Sequence, residues 1–379
     1  MKIEQKKYSK TNGWETLEEN CFDAARCNFV MAFGSNALFE DGSAYTTVRD
    51  NYPKADIIMS STSGEIYDTQ VNDDTISLTA VFFESTKIKT AIVQIDEAEN
   101  SFEAGRSLAS SLDPVNLKNV LIISDGQKVN GSELVQGLQQ HLPKETIITG
   151  GLAGDGSRFK KTLVGLNESP IEGRIVAIGF YGDNLSVYHG SVGGWDSFGP
   201  ERLITKSAGN ILFELDGKPA LDIYKMYLGD YANELPGSGL LFPLSIRLPG
   251  VEEMIVRTIL GIDEEKKSLT FAGNMPEGAY ARLMKANFDR LIEGASIAAQ
   301  NTINGDNKKP ELAILISCVG RKLVLGHRIE EEVEVIRATY GANTAITGFY
   351  SYGELSPSLN LMKCELHNQT MTITTLSEA

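Results

Sequence analysis

LAILISCVGRKLVLGHRIEEEVEVIRATYGANTAITGFYSYGE, residues 312–354, decides the fold. Leu312–Ile316 is an apolar, branched run of the kind that forms a strand buried on both faces. It breaks at Ser317-Cys318-Val319-Gly320-Arg321, which reads as a polar turn. Ile329, Val333 and Ile336 then recur at helical spacing among acidic residues, and Gly341 supplies a helix stop. Thr344–Gly348 reads as a second short strand running into Phe349-Tyr350-Ser351-Tyr352-Gly353-Glu354. This is a β-α-β unit. Its polar segments SCVGR and YSYGE both follow strand ends, and in parallel α/β sheets those ends face one edge, where ligands sit. The unit directs a thiol, a guanidinium, two phenols and a carboxylate toward one place.

The same order occurs twice earlier. FVMAFGS (29–35) precedes a helical stretch and ADIIMSSTSGEI (55–66); VLIISDG (120–126) precedes Glu133–Leu142 and TIITGGLAGDG (146–156). Gly64-Glu65, Asp155-Gly156 and Gly353-Glu354 close the three copies, which favours internal repetition over three unrelated crossovers. The expected class is α/β: two domains of mixed sheets built on repeated β-α-β units with antiparallel hairpin extensions. The hairpins are expected at 75–83 with 87–95 and, in the tail, at 361–366 with 371–376. A helix is expected from Thr16 to Arg26, with Leu17, Cys21 and Ala24 on one face. The glycine-rich GSVGGWDSFG (190–199) is the best boundary, giving domains 25–195 and 196–379.

Composition narrows the function. The 379 residues carry a formal net charge of -15, which argues against a phosphate-binding surface for nucleic acid and against anionic membranes. No apolar run approaches the roughly 20 residues that span a bilayer, and the N-terminal stretch lacks the apolar core of a secretory signal. Cys21, Cys27, Cys318 and Cys364 have no framework spacing and read as reduced thiols of a cytoplasmic protein.

Several residues carry chemistry. Cys318 follows a buried strand and precedes Arg321, whose guanidinium would favour a thiolate; the plainer reading is a small residue buried at a strand end. An enzyme using Cys318 as nucleophile would need a base, with His327 the nearest candidate. HExxH is absent, and His141, His189, His327 and His367 show no metal-ligand spacing. His189, on a strand with apolar neighbours, and His327, beside SCVGR, are the candidate axial haem ligands. The loop Gly150–Gly156, with Gly151 and Asp155, could cradle an anion, although it matches neither phosphate-loop nor dinucleotide order; tight turns are the simpler explanation.

IITGGLAGDG, the strand ending in SCVGR, HRIEEEVEVI, ITGFYSYGE and LHNQTMT, in this order, resemble the FIST family over about residues 25–379. The resemblance implies an N-terminal and a C-terminal FIST domain and a cytoplasmic sensory module that binds a small ligand in bacterial signal transduction. It lends weight to Ser317, Cys318, Arg321, Tyr350, Tyr352, Glu354, His367 and Asn368 as ligand-binding residues. Stand-alone relatives imply haem as cofactor, nitric oxide as signal and a histidine kinase or other signalling protein as partner. An amino acid or other small polar ligand is the alternative, with Arg321 for its carboxylate and Glu354 or Asp155 for its ammonium.

Overall fold

The three β-α-β units each form a parallel strand pair: Phe29–Gly34 with Asp56–Ser61, Leu117–Ser124 with Ile147–Leu152, and Leu312–Cys318 with Ala345–Ser351. The computed structural model describes residues 1–17, 22–251, 254–303, 308–358 and 363–379. Among these the class is mixed α/β, and each parallel pair is the centre of its own six-stranded sheet.

The sheets are built by exchange. On one side of each pair lies an antiparallel strand of the same unit: Thr75–Phe82, Arg174–Tyr181 or Met371–Glu378. The next strand outward comes from elsewhere. Lys87–Gln94 leaves the first unit for the second sheet, Leu185–Val192 leaves the second for the third, and Lys2–Ser9 fills the equivalent place in the first. On the other side, a short strand crosses in the opposite sense: Glu65–Tyr67 to the third sheet, Val164–Leu166 to the first, Gly353–Pro357 to the second. The result is a closed ring of three sheets.

Core composition shows why the ring holds. Phe29, Phe33, Ile58, Leu121, Ile123, Phe180, Ile314, Ile316 and Phe349 come from all three sheets and form one buried cluster. Phe29 meets Phe180 edge-on at 5.6 Å and Phe33 meets Phe349 at 4.7 Å. Each such ring removed from water contributes about 2–3 kcal/mol. The helices cover the outer faces, each with its own cluster. Both faces of the central strands are therefore dry, as their unbroken apolar runs require.

Residues 196–285 form a further, antiparallel sheet of eight strands around a separate core that includes Leu212, Leu221, Leu269 and Phe271. The glycine-rich stretch is mostly strand; the chain passes from the third sheet to this one at Gly193–Trp195.

Four local readings are corrected. Strands 75–82 and 87–94 do not pair with each other, because the Glu84–Thr86 turn is held elsewhere: the Glu378 carboxylate accepts the N–H groups of Glu84, Ser85 and Thr86 at 2.8, 2.9 and 2.7 Å. Burial opposes that charge, but these donors hold the Glu378 carboxyl down to about 2. The tail is not a hairpin either: Cys364–His367 pairs with Gly353–Pro357, and Met371–Glu378 with Leu312–Cys318 and Leu185–Val192; residues 359–362 lie outside those described. Of the expected helix 16–26, Thr16 ends a strand Gly13–Thr16, held by Trp14 against Tyr8 at 5.3 Å, and Ala24–Arg26 is one 3-10 turn; residues 18–21, Cys21 included, lie outside those described. The polar turn at SCVGR is strand through Cys318 and then helix, Val319–Leu325.

Two glycines fix the parallel pairs. Gly150 (φ +146°) and Gly348 (φ +154°) would each drive a Cβ into the neighbouring strand, 2.0 Å from Ile122 O and 1.8 Å from Leu315 O. Gly348→Ala is expected to cost more than about 3 kcal/mol in urea unfolding, against about 1 kcal/mol for Gly217→Ala, where φ is +72° but the space is open.

Candidate functional site

The three closing loops meet at one end of the ring, beyond the carboxyl ends of the parallel strands. Their backbones bond in cyclic order. Ser63 N donates to Tyr350 O at 2.8 Å and Tyr350 N to Gly64 O at 2.9 Å; Gly154 N donates to Ser61 O at 3.1 Å; Tyr352 N donates to Leu152 O at 3.1 Å. Fold symmetry thus brings Asp155 beside Tyr350, Tyr352 and Glu354, from which the chain order separates it by almost 200 residues.

What surrounds them is buried and largely satisfied. Arg321 has no exposure, and its donors are occupied by protein: Nε and Nη2 reach Glu332 Oε2 at 3.0 and 2.8 Å, Nη2 reaches Leu291 O at 2.7 Å, and Nη1 bonds Gly193 O. Glu332 Oε1 also accepts from Tyr350 Oη at 2.7 Å and Ser317 Oγ at 3.2 Å. Arg321 is a structural cation here rather than a free receptor for a ligand carboxylate. Burial above all, then the Glu332 charge, pushes the Tyr350 phenol well up.

Cys318 is 2% exposed, and burial first, then Glu354, raises its thiol well above the ordinary range, opposing a thiolate nucleophile. His327, the base such an enzyme would use, stands exposed in the turn Gly326–Arg328. Gly151 is a buried strand residue; a Cβ there would meet Ile316 Cγ2 at 2.6 Å. Asp155 accepts Arg158 Nε at 2.5 Å and the N–H groups of Lys160 and Lys161 at 3.1 and 2.9 Å, so this carboxylate shapes its own loop. Tyr352 stacks on Phe159 at 4.5 Å and bridges Phe159 N and Gly156 O.

Two buried carboxyls repeat one pattern. Glu354 accepts Ser351 Oγ at 2.7 Å, Thr370 N at 3.2 Å and Thr370 Oγ1 at 2.9 Å. Glu65 accepts Thr62 Oγ1 at 2.5 Å, Thr75 N at 3.1 Å and Thr75 Oγ1 at 2.7 Å. Each lies three residues after its hydroxyl donor and reaches the start of the same unit's antiparallel strand. Desolvation outweighs these donors and pushes Glu354 up to about 8 and Glu65 to about 7. The second unit has Gly156 in this place, so the acid is missing there.

The turn His367–Thr370 lies where the ring meets the inserted sheet. Burial takes the His367 imidazole down to about 4, with Nε2 against Ser356 O at 3.0 Å. Asn368 and Gln369 have no exposure. Gln369 O accepts from Trp195 Nε1 at 2.9 Å and its Nε2 donates to Leu240 O at 3.3 Å, yet the side-chain oxygens of both residues have no partner among the described residues. Of the haem candidates, His189 is half-buried opposite Thr374 with Nδ1 unpartnered, its basicity lowered by burial; the fold places His327 on a different element.

Sequence reasoning missed Glu332, Gln369, Lys322 and Arg257, the last a buried arginine of the inserted sheet whose Nη1 donates to Leu366 O at 2.8 Å. Glu332 had a signal: it shares the helical stripe of Ile329 and Ile336. Lys322 Nζ donates to Ser63 O at 2.8 Å and pairs with Asp73, fastening the third unit to the first.

Family models match most of the chain: FIST N domain over residues 28–218 and FIST C domain over 220–357. The chain belongs to the FIST family. FIST domains are small-ligand sensory domains of signalling proteins. No curated protein is similar in sequence to this chain. Two solved structures of cyanuric acid hydrolase, one from A. caulinodans, are similar at 9% identity. The first covers 94% of this chain and 91% of its own at a TM-score of 0.35, and the second 100% and 99% at 0.34. Likeness at this level carries no functional argument. No helix among the described residues is long and apolar enough to cross a membrane, and no cluster of metal-ligating side chains occurs among them.

Two tests follow from this FIST junction. Removing one partner of a buried ion pair strands the other charge, so Arg321→Met and Glu332→Leu should each cost about 3–5 kcal/mol, with a coupling of about 1–3 kcal/mol in a urea double-mutant cycle. The pH dependence has a defined sign. In the unfolded chain Glu354 and Glu65 ionise near pH 4.3, while folded they keep their protons toward about 8 and 7, so this stability is full in acid and lost as pH rises. His367 acts oppositely, losing stability as pH falls from about 6.5 through its folded value of about 4. From pH 6.5 to 8 unfolding free energy should fall in the parent protein and fall less in Glu354→Gln, the difference being the share of that carboxyl.

Proposed function

We propose that the chain binds a small polar ligand at the seam between the three-sheet ring and the inserted sheet, and passes its state to a signalling partner by contact. One observation carries the reading: the unpartnered side-chain oxygens of Asn368 and Gln369, both fully buried at that seam. A buried acceptor without a donor costs about 1–3 kcal/mol. A ligand bringing N–H or O–H groups, such as an amino acid, would recover it. Tyr352 and His367 border the same turn, through the Tyr352 O contact with Asn368 Nδ2 at 3.5 Å and through chain adjacency. Arg321 plays no part in this version, since its donors are spent on Glu332 and backbone carbonyls.

A second reading is haem-dependent nitric-oxide sensing that controls a partner histidine kinase. The unpartnered Nδ1 of His189 favours it, because a neutral imidazole nitrogen is what an axial ligand requires. Bound haem would supply the iron that takes up the gas; the residue this chain offers is His189.

A thermal-melt screen of amino acids and related polar molecules, run beside absorbance spectra after haem supply, separates the two. Under the first reading one compound gives a saturable shift, worth about 2.7 kcal/mol at 100-fold excess over its Kd, and Asn368→Ala or Gln369→Ala abolishes it. Under the second, a Soret band appears and is lost in His189→Ala but kept in His327→Ala. If no compound shifts the melt and no Soret band appears, ligand sensing is overturned.

A further inference from the structure

Lys87–Gln94 is the last strand of the second sheet. Arg174–Tyr181 pairs with one side of it, and no strand among the described residues pairs with the other. In the first sheet the equivalent strand, Lys2–Ser9, is covered there by Gly13–Thr16. An uncovered strand edge presents its main-chain donors and acceptors to solvent or to a further strand. The exposed strand is long enough to template one: eight residues, KIKTAIVQ, of which Ala91 alone is buried and Ile88, Thr90, Ile92 and Val93 are half-buried. Leu185–Val192 is last in the third sheet in the same way, but it carries no Lys, Arg, Asp or Glu.

Charge along this edge sorts by sign. Lys87 and Lys89 stand exposed at its start, and Glu97 and Glu99 stand exposed just past its end. None of the four has an ion pair among the described residues. Their neighbours are already matched: Asp96 holds Lys128 at 3.2 Å, and Glu103 pairs with Arg106. At the acidic end lies a cleft of about 780 Å³, lined by Ile92, Gln94, Glu97, Glu99 and Glu103 among others. Lysines on an open edge ordinarily keep other strands away. That holds unless the incoming strand sets acids opposite them. Two copies of this edge, joined about a two-fold axis across the strands, run antiparallel, so the lysine end of each meets the glutamate end of the other. The edge is thus complementary to itself.

We propose that this edge is a homodimer interface, in which two copies of the chain pair their Lys87–Gln94 strands antiparallel and join their second sheets into one continuous sheet. Main-chain hydrogen bonds supply the affinity of such strand addition. The contacts of Lys87 and Lys89 with Glu97 and Glu99 of the second copy select the partner and the direction of pairing. Pairing of this kind needs no ligand, so it stands or falls apart from the sensory reading.

The test is sedimentation velocity on the full chain across a concentration series. The parent protein is expected to sediment as a reversible dimer. Two double variants reverse one end each: Lys87→Glu with Lys89→Glu, and Glu97→Lys with Glu99→Lys. Each sets like charges opposite one another in its own dimer and should weaken self-association by roughly tenfold or more. All four side chains are exposed, so both variants should keep the parent Tm. An equimolar mixture of the two should dimerise again, because the acidic edge of one then faces the basic edge of the other. A chain carrying all four substitutions should also recover the dimer and carries the test if one double variant does not fold. A parent that stays monomeric throughout overturns the proposal. So does a dimer indifferent to both reversals, or a mixture and a fourfold variant that associate no better than the double variants alone.

Discussion

The shared apolar core of the three sheets is the constraint from which the rest follows. Phe29, Phe180, Ile316 and Phe349 belong to different sheets but to one buried cluster. A sheet that gave up its place would expose the inner faces of the other two. Strand exchange reinforces this. The second sheet cannot form without Lys87–Gln94 from the first unit and Gly353–Pro357 from the third. The ring should therefore fold and unfold as one cooperative body, with high contact order and slow closure.

Closure also explains the charges at the strand ends. Three loops that bond one another in cyclic order leave little room for water, so polar groups there must find partners in the protein. Arg321, Glu332, Tyr350 and Ser317 do so as a quartet. Glu354 and Glu65 do so with hydroxyl and backbone donors, at the cost of carboxyls that hold their protons near neutrality. Residues that look like an open receptor in sequence are, for the most part, the material that seals the end of the ring.

What could be read from the sequence was what is local. The apolar run Leu312–Ile316, the stripe Ile329–Val333–Ile336 and the stop at Gly341 each depend on near neighbours, and all three β-α-β units are where the pattern puts them. Sheet membership was not readable. Thr75–Phe82 and Lys87–Gln94, joined by three polar residues, have the outward form of a hairpin; only the Glu378 carboxylate, almost 300 positions away, holds their turn open. The junction was legible as a gathering of residue types, because strand ends share an edge. The use of each residue was not, since Arg321 beside a helix with several glutamates could face a ligand as readily as Glu332. Arg257 carried no sign at all: an arginine ending a half-exposed strand is ordinary until another body is laid over it.

The two bodies differ in how much it costs to move them. A change inside the ring must disturb the common core and the cyclic backbone bonds together. The inserted sheet has its own core, and it meets the ring through a small apolar cluster of Trp195, Met284, Leu291, Val324 and Leu325 and through scattered polar contacts at Asn130, Leu366 and Gln369. Interfaces of that kind shift as rigid bodies for a few kcal/mol, whereas packed cores do not deform gradually. Some of the unmet groups among the described residues lie at this seam: the side-chain oxygens of Asn368 and Gln369 and Ser132 Oγ. A ligand that satisfied them would change the free energy of one arrangement of sheet against ring and not of others, which is the physical requirement for a binding event to become a signal.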